Sequence, residues 1–324
     1  MAENIIFLFS LPRAGSTLLQ RLLGAHSKIS TAPEPWVLLP FVYAIRGGGV
    51  YTEFNHKWSR EAVNDFVSKM PRGADDYFKE MGRFAGALYK KVSDPQAIYF
   101  LDKTPRYYFI IPEIRKIFPD AKFIFLFRNP LQVLASIIET WCDGKLLFYR
   151  NYADLFLGPL YLAQGYRMMA HQSIPIDFES LIQSPEASIK AILSYLDLEY
   201  EAGMLDHFKD EMLEGKMGDP GRFQSWQINS EPLEKWKNCF NTSFRKFYAG
   251  HYLNCLGTDT LRGLGYELDD LKKQLNDIDV TGFGSIMDPA YLCLTMLFRI
   301  LDPKIFTHKF RQKHQTGAPF LFHG

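Results

Sequence analysis

Residues 12–17 (PRAGST) are the part of this 324-residue chain whose side chains and spacing best suit the binding of an anion. The apolar run Asn4–Phe9 precedes this segment, and leucines at helical spacing follow it from Ser16 to Ala25. The pattern predicts a buried strand, a tight loop and a helix. The first turn of such a helix presents free backbone N–H groups and the positive end of the helix dipole, which together attract phosphate or sulfate.

The side chains of this loop add to the backbone site. Glycine lets an anion approach the main chain, hydroxyls donate hydrogen bonds, and an arginine supplies a permanent charge with a fork of donors. We therefore predict that the anion is bound by Arg13, Ala14, Gly15, Ser16 and Thr17. The alternative is that Ser16 only caps the helix and that Arg13 is a solvated loop residue.

The loop differs from the phosphate loop of ATPases and kinases. That loop follows the pattern G-x-x-x-x-G-K-[ST], which would require a glycine at position 10 and a lysine at position 16. The chain has Ser10 and Ser16 at these positions. The sequence therefore argues against an ATPase or a kinase.

A second candidate anion site follows the apolar run Lys122–Phe127. Arg128 comes directly after this predicted strand, and Ser136 lies on the predicted helix Leu131–Trp141. Ligands of open parallel sheets collect at the carboxyl ends of the strands. Arg128 and Ser136 are therefore expected to lie at the same edge of the sheet as the first loop, where a guanidinium and a hydroxyl can contact an anion.

Strands alternate with helices along much of the chain. Further strands are predicted at Ile98–Leu101 and Ser173–Phe178, and a further helix begins near Pro185. This alternation predicts an α/β fold, with a central parallel β-sheet flanked by helices and a topology similar to that of nucleotide kinases.

Two regions lie outside this alternation. Residues 47–97 are predicted to form a helical insertion, with helices at Arg60–Met70 and Asp75–Lys91. Residues 269–324 are predicted to form a C-terminal extension, in which an apolar helix at 288–300 precedes a basic tail. Such a combination can lie on a membrane surface or cover an acceptor pocket, and packing against the rest of the protein is the preferred alternative.

The composition limits the classes of protein that the chain can belong to. Hydrophobic residues make up 47% and charged residues 23%, as in globular proteins, and the net charge of +1 gives no sign of a nucleic-acid partner. Four cysteines without a C-x-x-C pair favour free thiols over a disulfide framework or a metal site. The N-terminus lacks a leader pattern, and the longest apolar run, Trp36–Ile45, is far shorter than the ~20 residues that span a bilayer. We therefore expect a cytoplasmic protein, and the sequence leaves its oligomeric state open.

The motifs resemble those of the sulfotransferases that use 3′-phosphoadenosine 5′-phosphosulfate (PAPS). The stretch LPRAGSTLLQRLL resembles their loop for the 5′-phosphosulfate, and its arginine version is closest to tyrosylprotein sulfotransferases and their bacterial relatives. The stretch FIFLFRNPLQVLAS, with Arg128 and Ser136, resembles their second phosphate element. DKTP at 102–105 and LRGLGYEL at 261–268 are further matches, so the resemblance covers residues 4–268.

The resemblance implies a sulfotransferase domain at residues 1–268, PAPS as the co-substrate and no metal ion. It implies the transfer of a sulfuryl group to an acceptor hydroxyl, for which we expect a carbohydrate, a lipid or a natural-product alcohol. Glu34, in TAPEPW, resembles the family's catalytic base. Lys103, in LDKTP, resembles a lysine of the family that contacts the leaving phosphate. Arg13 completes the expected catalytic set. The alternative for Glu34 is a loop carboxylate bonded to backbone N–H groups. The alternative for Lys103 is a solvated lysine at a strand end.

The chain also departs from the family pattern. The glycine-rich R-K-G segment of the cytosolic sulfotransferases is not intact, and KMGDPGRF at 216–223 is the candidate to replace it. His26 resembles a histidine of the family at the end of the first helix, and it is interpreted as a helix cap. Glu179 is interpreted as a cap or as a member of a buried pair.

Two other classes of function stay open. A small-molecule kinase with a phosphate loop would need a Mg²⁺-binding carboxylate after Lys122–Phe127, where the chain has Arg128. A non-catalytic binder of nucleotides or sugars could use the same scaffold.

Overall fold

Five parallel strands form the centre of the computed structural model, which describes residues 4–47, 50, 52, 54–208, 228, 230–282 and 286–301. The order across the sheet is β2-β3-β1-β4-β5, and every neighbouring pair is parallel. The α/β fold predicted from the sequence is therefore confirmed. The strands are β1 (Asn4–Ser10), β2 (Ile29–Thr31), β3 (Tyr99–Asp102), β4 (Lys122–Phe127) and β5 (Ser173–Asp177).

Helices connect the strands and cover both faces of the sheet. They are α1 (Ser16–Gly24), α2 (Leu38–Ile45), α3 (His56–Ser68), α4 (Ala74–Val92), α5 (Ile111–Ile117), α6 (Pro130–Trp141), α7 (Gly158–Met169), α8 (Phe178–Gln183), α9 (Pro185–Tyr195), α10 (Met204–His207), α11 (Glu231–Glu234), α12 (Ser243–Leu256), α13 (Thr258–Gly263), α14 (Leu268–Asn276) and α15 (Met287–Leu301). The shorter helical turns are Pro105–Ile110, Tyr149–Asn151, Ala153–Leu157, Ala170–Gln172 and Lys235–Phe240.

The two faces of the sheet carry different side chains, because neighbouring residues of a strand point to opposite sides. On one face, the rings of Phe7, Phe9, Phe123 and Phe125 lie with centroids 5.1 to 6.2 Å apart. On the other face, the leucines of α1 pack against the aliphatic residues of β1 and β4. Burial on both faces explains why the strands read as continuous apolar runs in the sequence.

The carboxyl ends of the strands bring the candidate site residues to one edge of the sheet. β2 leads to Glu34, β3 to Lys103, β1 to loop 11–15, and β4 to Arg128. Because the strands are parallel, these residues line that edge in the strand order β2-β3-β1-β4.

Most predicted elements agree with the structure to within one or two residues at each end. Helix α3 begins earlier than predicted, at His56, because the side chain of Asn55 accepts a hydrogen bond from the amide of Trp58 and caps the helix. Strand β2 was not predicted, since its three residues are too few to show a pattern.

The C-terminal region contacts the domain through both of its described helices. Leu271 and Leu275 of α14 are buried in the main core. Asp288 at the start of α15 forms a bidentate ion pair with Arg245, at 2.7 and 3.0 Å. The division at residue 268 stays a prediction, and the basic tail lies outside the described residues, as does KMGDPGRF at 216–223. Within the described ranges, no helix is long and apolar enough to cross a membrane.

Candidate active site

The loop between β1 and α1 has the backbone of an anion site. Arg13 and Gly15 both have positive φ angles, 66° and 91°. A Cβ atom at Gly15 would overlap the ring of Phe178, so glycine is required here both for its conformation and for its size.

Helix α1 starts from this loop with its positive end open. Its N-cap is Gly15, no side chain in the described part of the chain caps it, and its first turn contains no acidic residue. Ser16 therefore does not act as the cap, which was the alternative interpretation of the motif. Ser16 is buried and Thr17 is half-buried at the start of the helix. The free amides and the helix dipole at this point favour a bound phosphate or sulfate.

The two predicted anion elements are in direct contact. The Nε atom of Arg13 donates a hydrogen bond to Ser136 Oγ at 3.2 Å, and a second guanidinium nitrogen of Arg13 donates to Thr140 Oγ1 at 3.4 Å. The guanidinium also lies 5.8 Å from the ring of Trp141. Residues from loop 11–15 and from α6, more than a hundred positions apart, thus share one site.

Arg128 is a buried cation beside the same loop. Its guanidinium donates to the backbone oxygen of Arg13 at 2.8 Å and to Gln132 Oε1 at 3.0 Å, and it lies 4.2 Å from the ring centre of Phe178. Burial lowers the pKa of Arg128 to about 10; the nearby Glu179 carboxylate opposes this shift and the Arg13 charge adds to it. Among the described residues, no carboxylate forms an ion pair with Arg128. The third guanidinium nitrogen donates to the backbone oxygen of Pro232 at 3.3 Å, so all three nitrogens contact protein oxygens.

Glu34 and Lys103 form an ion pair between the ends of β2 and β3. Lys103 Nζ lies 2.9 Å from Glu34 Oε1, and the two side chains are only 1% and 13% exposed. The other carboxylate oxygen, Oε2, accepts a hydrogen bond from Trp36 Nε1 at 3.1 Å. Glu34 is thus bonded to the side chains of Lys103 and Trp36, which differs from the alternative of a carboxylate held by backbone amides. Lys103 is buried, which differs from the alternative of a solvated lysine.

Glu179 has a structural role in the described part of the chain. Its carboxylate accepts a hydrogen bond from the amide of Asn129 at 3.1 Å and another from Tyr266 Oη at 2.9 Å. It therefore fixes the start of α6, next to Arg128, to the stretch LRGLGYEL.

His26 is held away from this chemistry. Its Nδ1 atom accepts from the amide of Lys28 at 3.0 Å, and Nε2 lies 2.9 Å from the backbone oxygen of Glu199. Both ring nitrogens are engaged with the backbone, as expected for a residue that ends a helix rather than a base.

The sequence predicted Ser136 but not Gln132 and Thr140, which complete the site. Gln132, Ser136 and Thr140 lie four positions apart on one face of α6, where they meet the guanidinium groups of Arg128 and Arg13. This spacing was the signal that could have found Gln132 and Thr140. No group of His, Cys, Asp or Glu side chains suited to a metal ion occurs among the described residues.

Comparisons with known proteins identify relatives over most of the chain. The sulfotransferase family model matches residues 5–202. A Caenorhabditis briggsae protein provisionally named a protein-tyrosine sulfotransferase is 28% identical over 274 residues, which are 80% of this chain and 90% of that protein. The nodulation protein NoeE of Sinorhizobium fredii is 26% identical over 290 residues, 81% of this chain and 66% of its own length.

A solved structure has a similar fold. The sulfotransferase domain from the curacin biosynthetic pathway superimposes with a TM-score of 0.51 at 19% identity. The match covers 82% of this chain and 98% of that domain.

Proposed function

Because this chain belongs to the sulfotransferase family, we propose that it transfers a sulfuryl group from PAPS to an acceptor hydroxyl. The observation that carries the proposal is the contact of Arg13 with Ser136, which joins two separate anion elements in one site. A nucleotide with phosphates at its 5′ and 3′ positions needs such a pair of elements.

The two elements suit the two ends of PAPS. The open start of α1, with Arg13, Gly15, Ser16 and Thr17, suits the 5′-phosphosulfate. Arg128 and Ser136 suit the 3′-phosphate, because Arg128 is a buried guanidinium without an ion-paired carboxylate among the described residues.

Sulfuryl transfer requires a base and positive charge at fixed positions. A bond forms between the acceptor oxygen and sulfur, and the bond between sulfur and the bridging oxygen of the 5′-phosphate breaks. The acceptor proton passes to Glu34, and the 3′,5′-bisphosphate leaves with the electron pair of the broken bond. Arg13 and Lys103 stabilise the negative charge that develops on the leaving group.

The Glu34–Lys103 pair supports these roles. Glu34 is held by Lys103 and Trp36, so its orientation is set before an acceptor arrives. Lys103 is buried, which strengthens its field at the reacting atoms because little water screens it.

For the acceptor we propose the hydroxyl of a carbohydrate, a lipid or a natural product. A protein tyrosine is the competing class, since the C. briggsae relative carries that name. A panel of these acceptors, incubated with PAPS that carries a labelled sulfuryl group, tests the proposal. We expect label on at least one alcohol, and we expect the Glu34→Gln variant to lose this transfer.

If only a tyrosine peptide is labelled, the proposed acceptor class is wrong and the proposed sulfuryl transfer still holds. If the chain binds PAPS and labels no acceptor of any class, it is a non-catalytic binder. If it binds no PAPS, the whole proposal is wrong.

A further inference from the structure

Asp102 is a fully buried carboxylate at the carboxyl end of β3, one residue before Lys103. Three hydroxyl groups surround it. Thr104 Oγ1 lies 2.9 Å from Oδ1, and Tyr89 Oη and Tyr107 Oη lie 2.6 and 3.2 Å from Oδ2. A carboxylate accepts hydrogen bonds only, so all three hydroxyl groups donate to it.

Two of these hydroxyls also accept hydrogen bonds from the segment that follows Glu34. The amide of Trp36 donates to Thr104 Oγ1 at 3.3 Å, and the amide of Leu38 donates to Tyr107 Oη at 3.2 Å. A backbone N–H can only donate, which leaves the proton of each hydroxyl free to bind Asp102. The direction of both chains of hydrogen bonds is thereby fixed.

We propose that Asp102 is a positioning residue, which holds the loop carrying Glu34 through two hydroxyl relays, Thr104 to Trp36 and Tyr107 to Leu38. The inference rests on the proposed function in one respect, the role of Glu34 as the base. Trp36 connects the relay to that base directly, because its backbone amide is bound by Thr104 while its indole Nε1 is bound to Glu34 Oε2.

The local backbone explains why such an anchor is needed. Trp36 has a φ of 56°, a conformation that a bulky residue rarely adopts. Strained conformations persist only where the surroundings hold them, and they cluster at functional sites. The relays from Asp102 supply that support between Pro35 and the start of α2.

Single hydroxyl deletions test the two relays separately. In Thr104→Val the amide of Trp36 loses its acceptor, and in Tyr107→Phe the amide of Leu38 does. Amide hydrogen exchange measured on the free protein should become faster at Trp36 in the first variant and at Leu38 in the second. Thr104→Ser keeps the hydroxyl and should keep the slow exchange. Tyr99→Phe is the matched control, because it removes a buried hydroxyl, bound to the backbone oxygen of Leu196, at the other end of the same strand.

The kinetic readout separates positioning from stability. Each relay variant should lower kcat by about three- to tenfold, the equivalent of one hydrogen bond, and leave the Kd for 3′,5′-adenosine bisphosphate unchanged. The limb of the kcat–pH profile that reports the base should shift in these variants and not in Tyr99→Phe.

Unchanged exchange at Trp36 and Leu38 in the two variants would overturn the inference, as would equal losses of kcat and nucleotide affinity. The exchange measurement uses no substrate. A chain that transfers no sulfuryl group would thus defeat the proposed function, while exchange would still decide whether the two hydroxyl relays hold the loop.

Discussion

Lys103 Nζ and Glu34 Oε1 are 2.9 Å apart at the ends of two neighbouring parallel strands. The pair places a proton acceptor and a fixed positive charge side by side, at the edge of the sheet where loop 11–15 also lies. In a sulfuryl transfer these two groups serve opposite ends of the reaction, since the acceptor loses a proton and the leaving group gains negative charge.

Glu34→Gln should lower kcat by about 10²–10⁴-fold, because the amide keeps the shape of the side chain and cannot take a proton. The Kd for 3′,5′-adenosine bisphosphate should change little, since Glu34 is assigned to the acceptor and not to the phosphates. Steady-state kinetics and nucleotide titration of the same preparation check both expectations.

The control for this variant addresses the ion pair. Glu34→Gln leaves Lys103 buried without its counter-charge, which lowers stability. The double variant Glu34→Gln/Lys103→Met removes both charges, so its melting temperature should recover while its activity stays low. Turnover of Glu34→Gln within a few-fold of the parent would remove Glu34 from the mechanism.

Arg128→Ala should weaken binding of 3′,5′-adenosine bisphosphate by about 2–3 kcal/mol, the contribution of a charge-assisted contact to a phosphate. Affinity for adenosine 5′-phosphosulfate, which lacks the 3′-phosphate, should hardly change. Titration of both ligands into both proteins gives the comparison. Equal losses of affinity for the two ligands would mean that Arg128 supports the loop through the backbone oxygen of Arg13 and does not bind the 3′-phosphate.

Gly15→Ala should lower both stability and nucleotide affinity. The left-handed conformation costs an alanine about 1–2 kcal/mol, and the added methyl group overlaps the ring of Phe178. Thermal unfolding of Gly15→Ala, Phe178→Leu and the double variant measures the coupling between the two positions. We expect the double variant to be more stable than the sum of the single effects predicts, and strict additivity would show that the overlap does not matter.

Asp102→Asn should change how the stability of the protein depends on pH. Burial raises the pKa of Asp102 from its ordinary 3.8 to about 6, against the opposing effects of Tyr89, Thr104, Tyr107 and Lys103. The folded state therefore binds the proton more tightly than the unfolded state. The resulting stabilisation is complete below the unfolded pKa and is lost as pH rises through about 6.

The comparison is made by chemical denaturation between about pH 5 and 7.5. Over this range the parent should lose about 1 kcal/mol of unfolding free energy relative to Asp102→Asn, whose amide does not titrate. Parallel pH curves for the two proteins would show that Asp102 keeps an ordinary pKa in the fold.

The sequence was sufficient to predict a parallel sheet, four of its five strands and the cations at its edge. Buried parallel strands read as continuous apolar runs, so β1 and β4 stood out. Arg128 follows β4 directly, and Arg13 lies in the loop that follows β1. Glu34 was identified through the resemblance of TAPEPW to the family pattern.

The contacts between distant segments could not be predicted in the same way. The bond from Arg13 to Ser136 and the relay from Asp102 to Trp36 join parts of the chain that are far apart in sequence. No local periodicity records such pairs, because they arise from the order of the strands in the sheet. Strand β2, which delivers Glu34 to the edge, was too short to recognise before that order was known.

Isothermal titration of the parent protein with 3′,5′-adenosine bisphosphate and, separately, with ATP and Mg²⁺ shows whether the two anion elements bind the two ends of PAPS. We expect the bisphosphate to bind without added metal and at least about tenfold more tightly than ATP with Mg²⁺, a difference of about 1.4 kcal/mol. Tighter binding of ATP with Mg²⁺, or no binding of the bisphosphate, would contradict the assignment of the two anion elements to the two ends of PAPS.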